Sequence, residues 1–244
     1  MLATSAFSSA TSSPTNQTYT SFLANLFYQH DDTSPIDILP IMTLAISRGS
    51  SGINNAGELA FGGYLGLNNS VVNAGQAVTV PMAFSNFTGI NGIVYDDTSM
   101  QYIVSIDNIY AANIGIPGFQ FNPTSAFYMY ISTSNTAISL PPSLASAVNS
   151  MFVPPGFLAS DNSTFYLHCN ATAPSLNFVI NNLNFFINTV DLKRHASQSL
   201  CISSVTADSD GHYVLGDLFL RNVLLAFDFK ASNLWLAARP YYES

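Results

Sequence analysis

Short apolar runs recur along the chain, each bounded by clusters of Gly, Pro, Asn and Ser. Ile41–Ile46, Glu58–Phe61, Ala77–Phe84, Tyr102–Ile106 and Phe127–Ile131 are the earlier ones. Thr164–Leu167, Leu176–Ile180, Leu183–Val190, Tyr213–Leu215, Leu224–Phe229 and Leu234–Ala237 follow. Aromatic and β-branched residues dominate them, as a pleated, half-buried surface prefers, so each run predicts a strand. Helical periodicity is rare. Ser21–Gln29 places Phe22, Leu23, Leu26 and Phe27 on one stripe. Ser143–Phe152 aligns Leu144, Val148, Met151 and Phe152, with Pro141-Pro142 opening it and Pro154-Pro155-Gly156 closing it. Asp217–Val223 predicts a third, short helix. The expected class is all-β with a few short helices.

Composition narrows what such a fold does. Of 244 residues only 14 are acidic and 6 basic, so 8% are charged, with a net charge of −8; soluble domains usually carry about 25%. Apolar residues make up 48% and the mean hydropathy is +0.26, which argues against disorder. No uninterrupted apolar run approaches the ~20 residues of a spanning helix. The acidic balance argues against nucleic acid, which wants basic patches. No internal repeat, Gly-rich phosphate loop or metal-ligand cluster is visible, so neither metal nor cofactor is expected.

The termini and cysteines give mixed signals about compartment. Residues 1–19 form a Ser/Thr-rich segment without the basic-then-apolar pattern of a signal peptide. Yet N-x-[ST] sequons occur at Asn16, Asn68, Asn86, Asn162 and Asn170, and such sites imply an exported surface. Cys169 and Cys201 are open to two readings: a single disulfide, or a reduced pair. Export without an export signal suggests a missing N-terminal part, and the expected organisation is residues 1–19 plus one globular unit over 20–244.

The C-terminal pattern is more specific. Tyr213-Val214-Leu215-Gly216-Asp217-Leu218-Phe219-Leu220-Arg221 continues to Ala226-Phe227-Asp228 and ends Leu234-Trp235-Leu236-Ala237. This resembles the end of the pepsin-like aspartic proteases, which read roughly h-L-G-D-h-F-h-R, then h-F-D, then h-G-h-A. Phe22-Leu23-Ala24-Asn25-Leu26 resembles the family's F-x-x-N-L helix, and Gly57 to Gly63 its strand ending F-G-G, with Tyr64-Leu65 where an acidic residue is usual. Tyr102 to Asp107 resembles its W-x-h-x-h-D strand. The resemblance covers roughly residues 20 to 240. It implies the pepsin-like acid protease fold, specifically the C-terminal lobe plus the inter-lobe strands. It also implies that Cys169 and Cys201 form the C-lobe disulfide, and that Gly216, Asp217, Phe219, Arg221 and Asp228 are structural, Asp217 as a helix cap and Asp228 in a hairpin turn.

The family's chemistry uses two aspartates, one per lobe, that share a proton and activate a water. Each sits in h-h-D-T-G-[ST]. The matching residues here are Ser132, Thr133, Ser134, Asn135 and Thr136, followed by Pro141 at the family's proline position. Ser132 stands in place of the aspartate, and Ser134 in place of a glycine that permits a tight turn. Thr133 matches a threonine that reaches across to the other lobe in the family. A seryl hydroxyl has no accessible pKa for acid–base work near acidic pH. From Asn108 to Ser160 there are 53 residues without Asp, Glu, Lys, Arg or His. Ser132 as a nucleophile would need a base, and His30, His168, His195 and His212 fall in no Ser-His-Asp order with flanking motifs. Asp32-Thr33-Ser34 and Asp97-Thr98-Ser99 lack the upstream apolar pair and read as Asx turns.

Three functions follow as expectations. The first is a truncated, catalytically inactive lobe of an aspartic-type endopeptidase. The second is a secreted, non-proteolytic binding or inhibitor-like homologue holding a peptide or protein ligand in the old cleft. The third, an active protease, would need a second chain or dimerisation to supply two aspartates. A homodimer would only duplicate Ser132, and a missing N-terminal lobe as partner would bring only one aspartate. The expected location is extracellular or in the secretory pathway.

Overall fold

A computed structural model describes residues 10–12, 17–19, 26, 38–46, 57–65, 76–82, 102–197 and 200–239. The helix expected at Ser21–Gln29 (apart from Leu26), both Asp-Thr-Ser segments, His30 and the sequons at Asn16, Asn68 and Asn86 lie outside them. The first strands are β1 (Ala10–Ser12), β2 (Gln17–Tyr19), β3 (Leu39–Ile46), β4 (Gly57–Gly62), β5 (Ala77–Pro81) and β6 (Tyr102–Ile106). Next come β7 (Asn108–Asn113), β8 (Ile116–Phe121), β9 (Phe127–Ile131), β10 (Ile138–Leu140), helix α1 (Pro142–Ser150), β11 (Phe157–Leu158) and β12 (Phe165–His168). The last are β13 (Ser175–Ile180), β14 (Leu183–Ile187), a 3₁₀ turn (Thr189–Leu192), β15 (Lys193–His195), β16 (Leu200–Ser203), β17 (Val205–Ala207), β18 (Val214–Leu215), helix α2 (Asp217–Leu220), β19 (Val223–Asp228) and β20 (Asn233–Ala238). The described chain is all-β with a few short helices.

Beyond the β1–β2 hairpin, four sheets organise the molecule. One runs β4-β3-β19-β20-β5, antiparallel throughout. Its central strand, β19, is buried from Val223 to Phe227, which explains the unbroken apolar run there: a strand covered on both faces needs no alternation. Its edge strand β4 alternates exposed and half-buried positions instead. A second sheet runs β17-β10-β18-β9-β6 and carries the loop discussed below. The third runs β14-β13-β7-β8 and the fourth β11-β12-β16-β15. Phe178 of β13 and Phe185 of β14 meet Phe219 of α2 at ring-centroid distances of 5.9 and 6.1 Å, which docks α2 onto the third sheet.

Several boundaries differ from the sequence expectation for identifiable reasons. The strand expected over Leu183–Val190 stops at Ile187, because the Asn188 side chain accepts the Val190 N–H and starts the 3₁₀ turn. The run from Ala77 is a strand to Pro81. The second helix ends two residues early, at Ser150, and Phe152 beyond it is fully buried. The third is a single turn, Asp217–Leu220, with Gly216 rather than Asp217 at its N-cap. Asp217 is therefore the first residue of the helix, not its cap. Asp228 does close the β19–β20 hairpin, its Oδ1 accepting the Ala231 N–H at 2.9 Å.

A candidate active-site loop

β9 and β18 lie side by side in parallel, with Val214 opposite Tyr130 and Leu215 opposite Ile131. β10 flanks β18 on its other side, antiparallel, with Ile138 opposite Leu215. The chain therefore leaves β9, passes over the end of β18 through residues 132–137, and returns as β10. The Tyr130 N–H donates to the Tyr213 carbonyl at 2.8 Å and the Ser132 N–H to the Leu215 carbonyl at 3.2 Å, fixing where the loop begins. Tyr102 of β6 pairs with Ile131 and packs its ring edge-on against Phe227 at 4.6 Å. Burial pushes its phenol up to about 12.

The loop is supported from below by α2. The first helical N–H groups have no intrahelical partner. Here the Asp217 N–H donates to the Asn135 carbonyl at 2.8 Å and the Leu218 N–H to the Thr136 carbonyl at 3.2 Å. Gly216 makes this approach possible: a Cβ there would fall on the carbonyl oxygens of both Asn135 and Ala137. The glycine of the Leu-Gly-Asp triplet is thus a steric requirement of the loop, not only part of a sequence signature.

Within the loop, the Ser132 hydroxyl is half-buried and pairs with the Ser134 hydroxyl at 2.9 Å. It also accepts the Ser134 N–H at 3.3 Å, a local turn of the kind serine favours. Ser134 does not take a positive φ, so the turn here does not use the freedom a glycine would offer. Thr133, Asn135 and Thr136 are exposed. Beside the loop opens a cavity of about 350 Å³.

Buried polar residues that the sequence did not flag lock α2 in place. Asp191 is 3% exposed, and its Oδ2 accepts from Asn222 Nδ2 at 3.0 Å. Arg221 Nη1 stands 3.9 Å from Asp191 Oδ1. Asn222 also donates to the Leu218 carbonyl at 2.7 Å and accepts the Asn188 N–H at 3.0 Å. The carboxyl of Asp217 is raised above its ordinary 3.8 by burial, with Arg221 pulling it part of the way back.

Cys169 and Cys201 form a disulfide, with Cα atoms 5.0 Å apart. Closing a loop of 32 residues contributes about 3–4 kcal/mol in the chain-entropy treatment. His195 Nδ1 lies 3.6 Å from each sulfur. This Cys-His-Cys group is the metal-ligand constellation found among the described residues, and the S–S bond occupies both thiolates. Asn162 and Asn170 are exposed.

Residues 126–239 match the family described as eukaryotic aspartyl protease. A probable aspartic-type endopeptidase of Aspergillus fumigatus is 30% identical over 208 residues, covering 82% of this chain and 44% of the relative. The aspartic-type endopeptidase ctsD of the same organism is 29% identical over 161 residues, covering 64% and 32%. An acid protease of Saccharomycopsis fibuligera is 23% identical over 190 residues, covering 76% and 44%. The chain thus spans less than half the length of these relatives. With the all-β fold, these matches place it in kinship with the pepsin-like aspartic proteases.

Proposed function

We propose that this relative of the pepsin-like aspartic proteases corresponds to their second lobe with the inter-lobe strands, and that its active-site loop does not hydrolyse peptide bonds. One observation carries the reading: the residue that leaves β9 over the end of β18 is Ser132, engaged with Ser134 rather than free to hold a charge. A hydroxyl cannot share a proton with a partner carboxylate and activate water as the aspartate pair does. A symmetric dimer would duplicate the serine rather than supply aspartates.

A second reading adds a positive role: the loop holds a polypeptide without cutting it. The open cavity beside residues 134–137 favours it. The disulfide and the fungal endopeptidase relatives support an exported protein, so Asn162 and Asn170 are expected to carry glycans. A mobility shift after N-glycosidase treatment of protein from a secreting host checks that.

The decisive assay is digestion of acid-denatured casein at pH 3–5 by the pure 244-residue chain, with and without a pepstatin-type inhibitor. No inhibitor-sensitive cleavage is expected. Cleavage that the inhibitor blocks would overturn the reading. Ser132→Asp is expected to remain inactive, because the chain contains no Asp-Thr-Gly triplet to provide the other carboxylate; recovery of activity would show that such a group is supplied.

A further inference from the structure

We propose that the cavity beside the β9–β10 loop is a carboxylate pocket that selects an acidic side chain of a bound polypeptide, with Arg194 as its charged contact. The inference rests on the reading that this loop faces a polypeptide ligand, and it adds that ligand's chemistry.

The lining is uniformly polar apart from Ala137. Ser134, Asn135 and Thr136 come from the loop, Ser139 from β10, Thr206 from β17 and Arg194 from β15. Ser139 and Thr206 are direct partners across the parallel β10–β17 pair. Hydroxyls and amides donate as readily as they accept, whereas a guanidinium only donates, through a planar fork that matches a carboxylate. The Thr206 hydroxyl donates to the Ile138 carbonyl at 3.4 Å and the Ser134 hydroxyl pairs with Ser132. That leaves Asn135, Thr136 and Ser139 as neutral donors around the one guanidinium fork, a lining suited to an oxyanion. No carboxylate lines the cavity to compete for it.

The other cations nearby already have structural tasks. Lys193, adjacent to Arg194 on β15, donates its Nζ to the Cys169 carbonyl at 2.9 Å and the Ala171 carbonyl at 2.8 Å. Arg221 faces Asp191, and Arg239 reaches the Ile46 carbonyl. Arg194 is exposed, on an edge strand, and among the described residues it pairs with no carboxylate. In a chain with only 6 basic residues and a net charge of −8, Arg194 is the one cation that lines this cavity.

The serine at position 132 fits the same picture. Its hydroxyl contacts Ser134, which lines the cavity. An ionised aspartate there would place a negative charge beside the pocket and repel an acidic ligand. Replacing it with a neutral hydroxyl removes that repulsion. Loss of the catalytic charge and gain of an acidic-ligand site are then two sides of one substitution.

The test uses fluorescein-labelled octapeptide pools with glutamate fixed at one position in turn, against matching pools with glutamine, read by polarisation at pH 7. At one position the wild-type chain should prefer glutamate by about tenfold, as a charge-assisted bidentate contact supports, and the preference should fade in high salt. Arg194→Gln should bring the two pools within about twofold while keeping the thermal midpoint, since the residue is exposed; Arg194→Lys should fall between. Ser132→Asp should weaken glutamate binding several-fold more than it weakens glutamine binding. Equal binding of both pools, or a glutamate preference that survives Arg194→Gln, overturns the carboxylate pocket and leaves polypeptide binding standing. Binding of neither pool overturns both that pocket and the polypeptide-holding reading, while the casein assay judges catalysis separately. Displacement of the glutamate pool by micromolar acetate or phosphate would show a free-ion site and overturn the polypeptide ligand.

Discussion

The loop at residues 132–136 and the helix beneath it, α2, share two backbone hydrogen bonds, yet they are built in different ways. The loop is neutral, largely exposed and held by its own hydroxyls. The α2 region is buried, charged and cross-linked: Asp191, Arg221 and Asn222 tie the helix to the 3₁₀ turn, and Phe219 ties it to the third sheet. In an active aspartic protease the loop would carry the chemistry and α2 would hold it in position. On the reading proposed above, the holding apparatus is present here while the position it serves has a hydroxyl. A support made of mutually dependent buried groups is costly to dismantle piece by piece, because each removal leaves a partner unsatisfied. A hydroxyl bonded only within its own loop has no such neighbours, so substituting it should leave the fold intact.

That contrast can be broken by substitution. Gly216→Ala should have the largest effect, a loss of about 3 kcal/mol, since its methyl group collides with backbone oxygens that cannot rotate away. A urea-melt midpoint close to wild type would show that the loop is not clamped by α2. Asn222→Ala should cost about 2 kcal/mol, because Asp191 loses a donor in a dry site; the same melts measure it. Asp217→Asn should raise the thermal midpoint modestly at pH 7 and leave it unchanged near pH 3. The sign follows from its raised carboxyl: burial penalises the ionised form, so Asp217 opposes folding above its folded-state pKa and ceases to do so below the ordinary 3.8. A midpoint shift of equal size at both pH values would place the effect elsewhere. Ser132→Ala should change stability by no more than about 0.5 kcal/mol, the smallest effect, as befits a hydroxyl bonded within its own loop. A large loss there would make the loop part of the support and erase the distinction.

The same contrast governs what could be read from the sequence. Strands with dense β-branched and aromatic residues, such as Phe127–Ile131 and Leu224–Phe229, announce themselves through composition. The β7–β8 hairpin did not, because Asn-Ile-Tyr-Ala-Ala-Asn and the Gly and Pro residues after it have low intrinsic strand preference. Pairing with β13 decides their conformation. The loop at 132–136 was legible because its spacing to Pro141 and to Leu-Gly-Asp is a sequence property. The disulfide became legible only through family resemblance. Asp191 and Asn222 carry no local signal, since their burial arises from the meeting of segments about thirty residues apart, 31 positions in the case of their own contact. Asp217 was misassigned as a cap for a related reason: an acidic residue suits both the cap and the first turn, and only the backbone angles of Gly216 distinguish them.

The crossing of β18 between β9 and β10 also sets an order of events. Tyr130 and Val214 are neighbours in space but far apart along the chain, and such non-local pairings form late because loop closure must be paid before any contact rewards it. Until β18 inserts, β9 and β10 face an empty lane with unpaired backbone groups on either side, and the loop above has no floor. During synthesis from the N-terminus this lane stays open from Leu140 until Val214, while more than seventy residues are added. The nascent protein therefore exposes β9 and β10 to wrong strand partners in the interval before β18 arrives, and a chaperone that shields unpaired edges would act there.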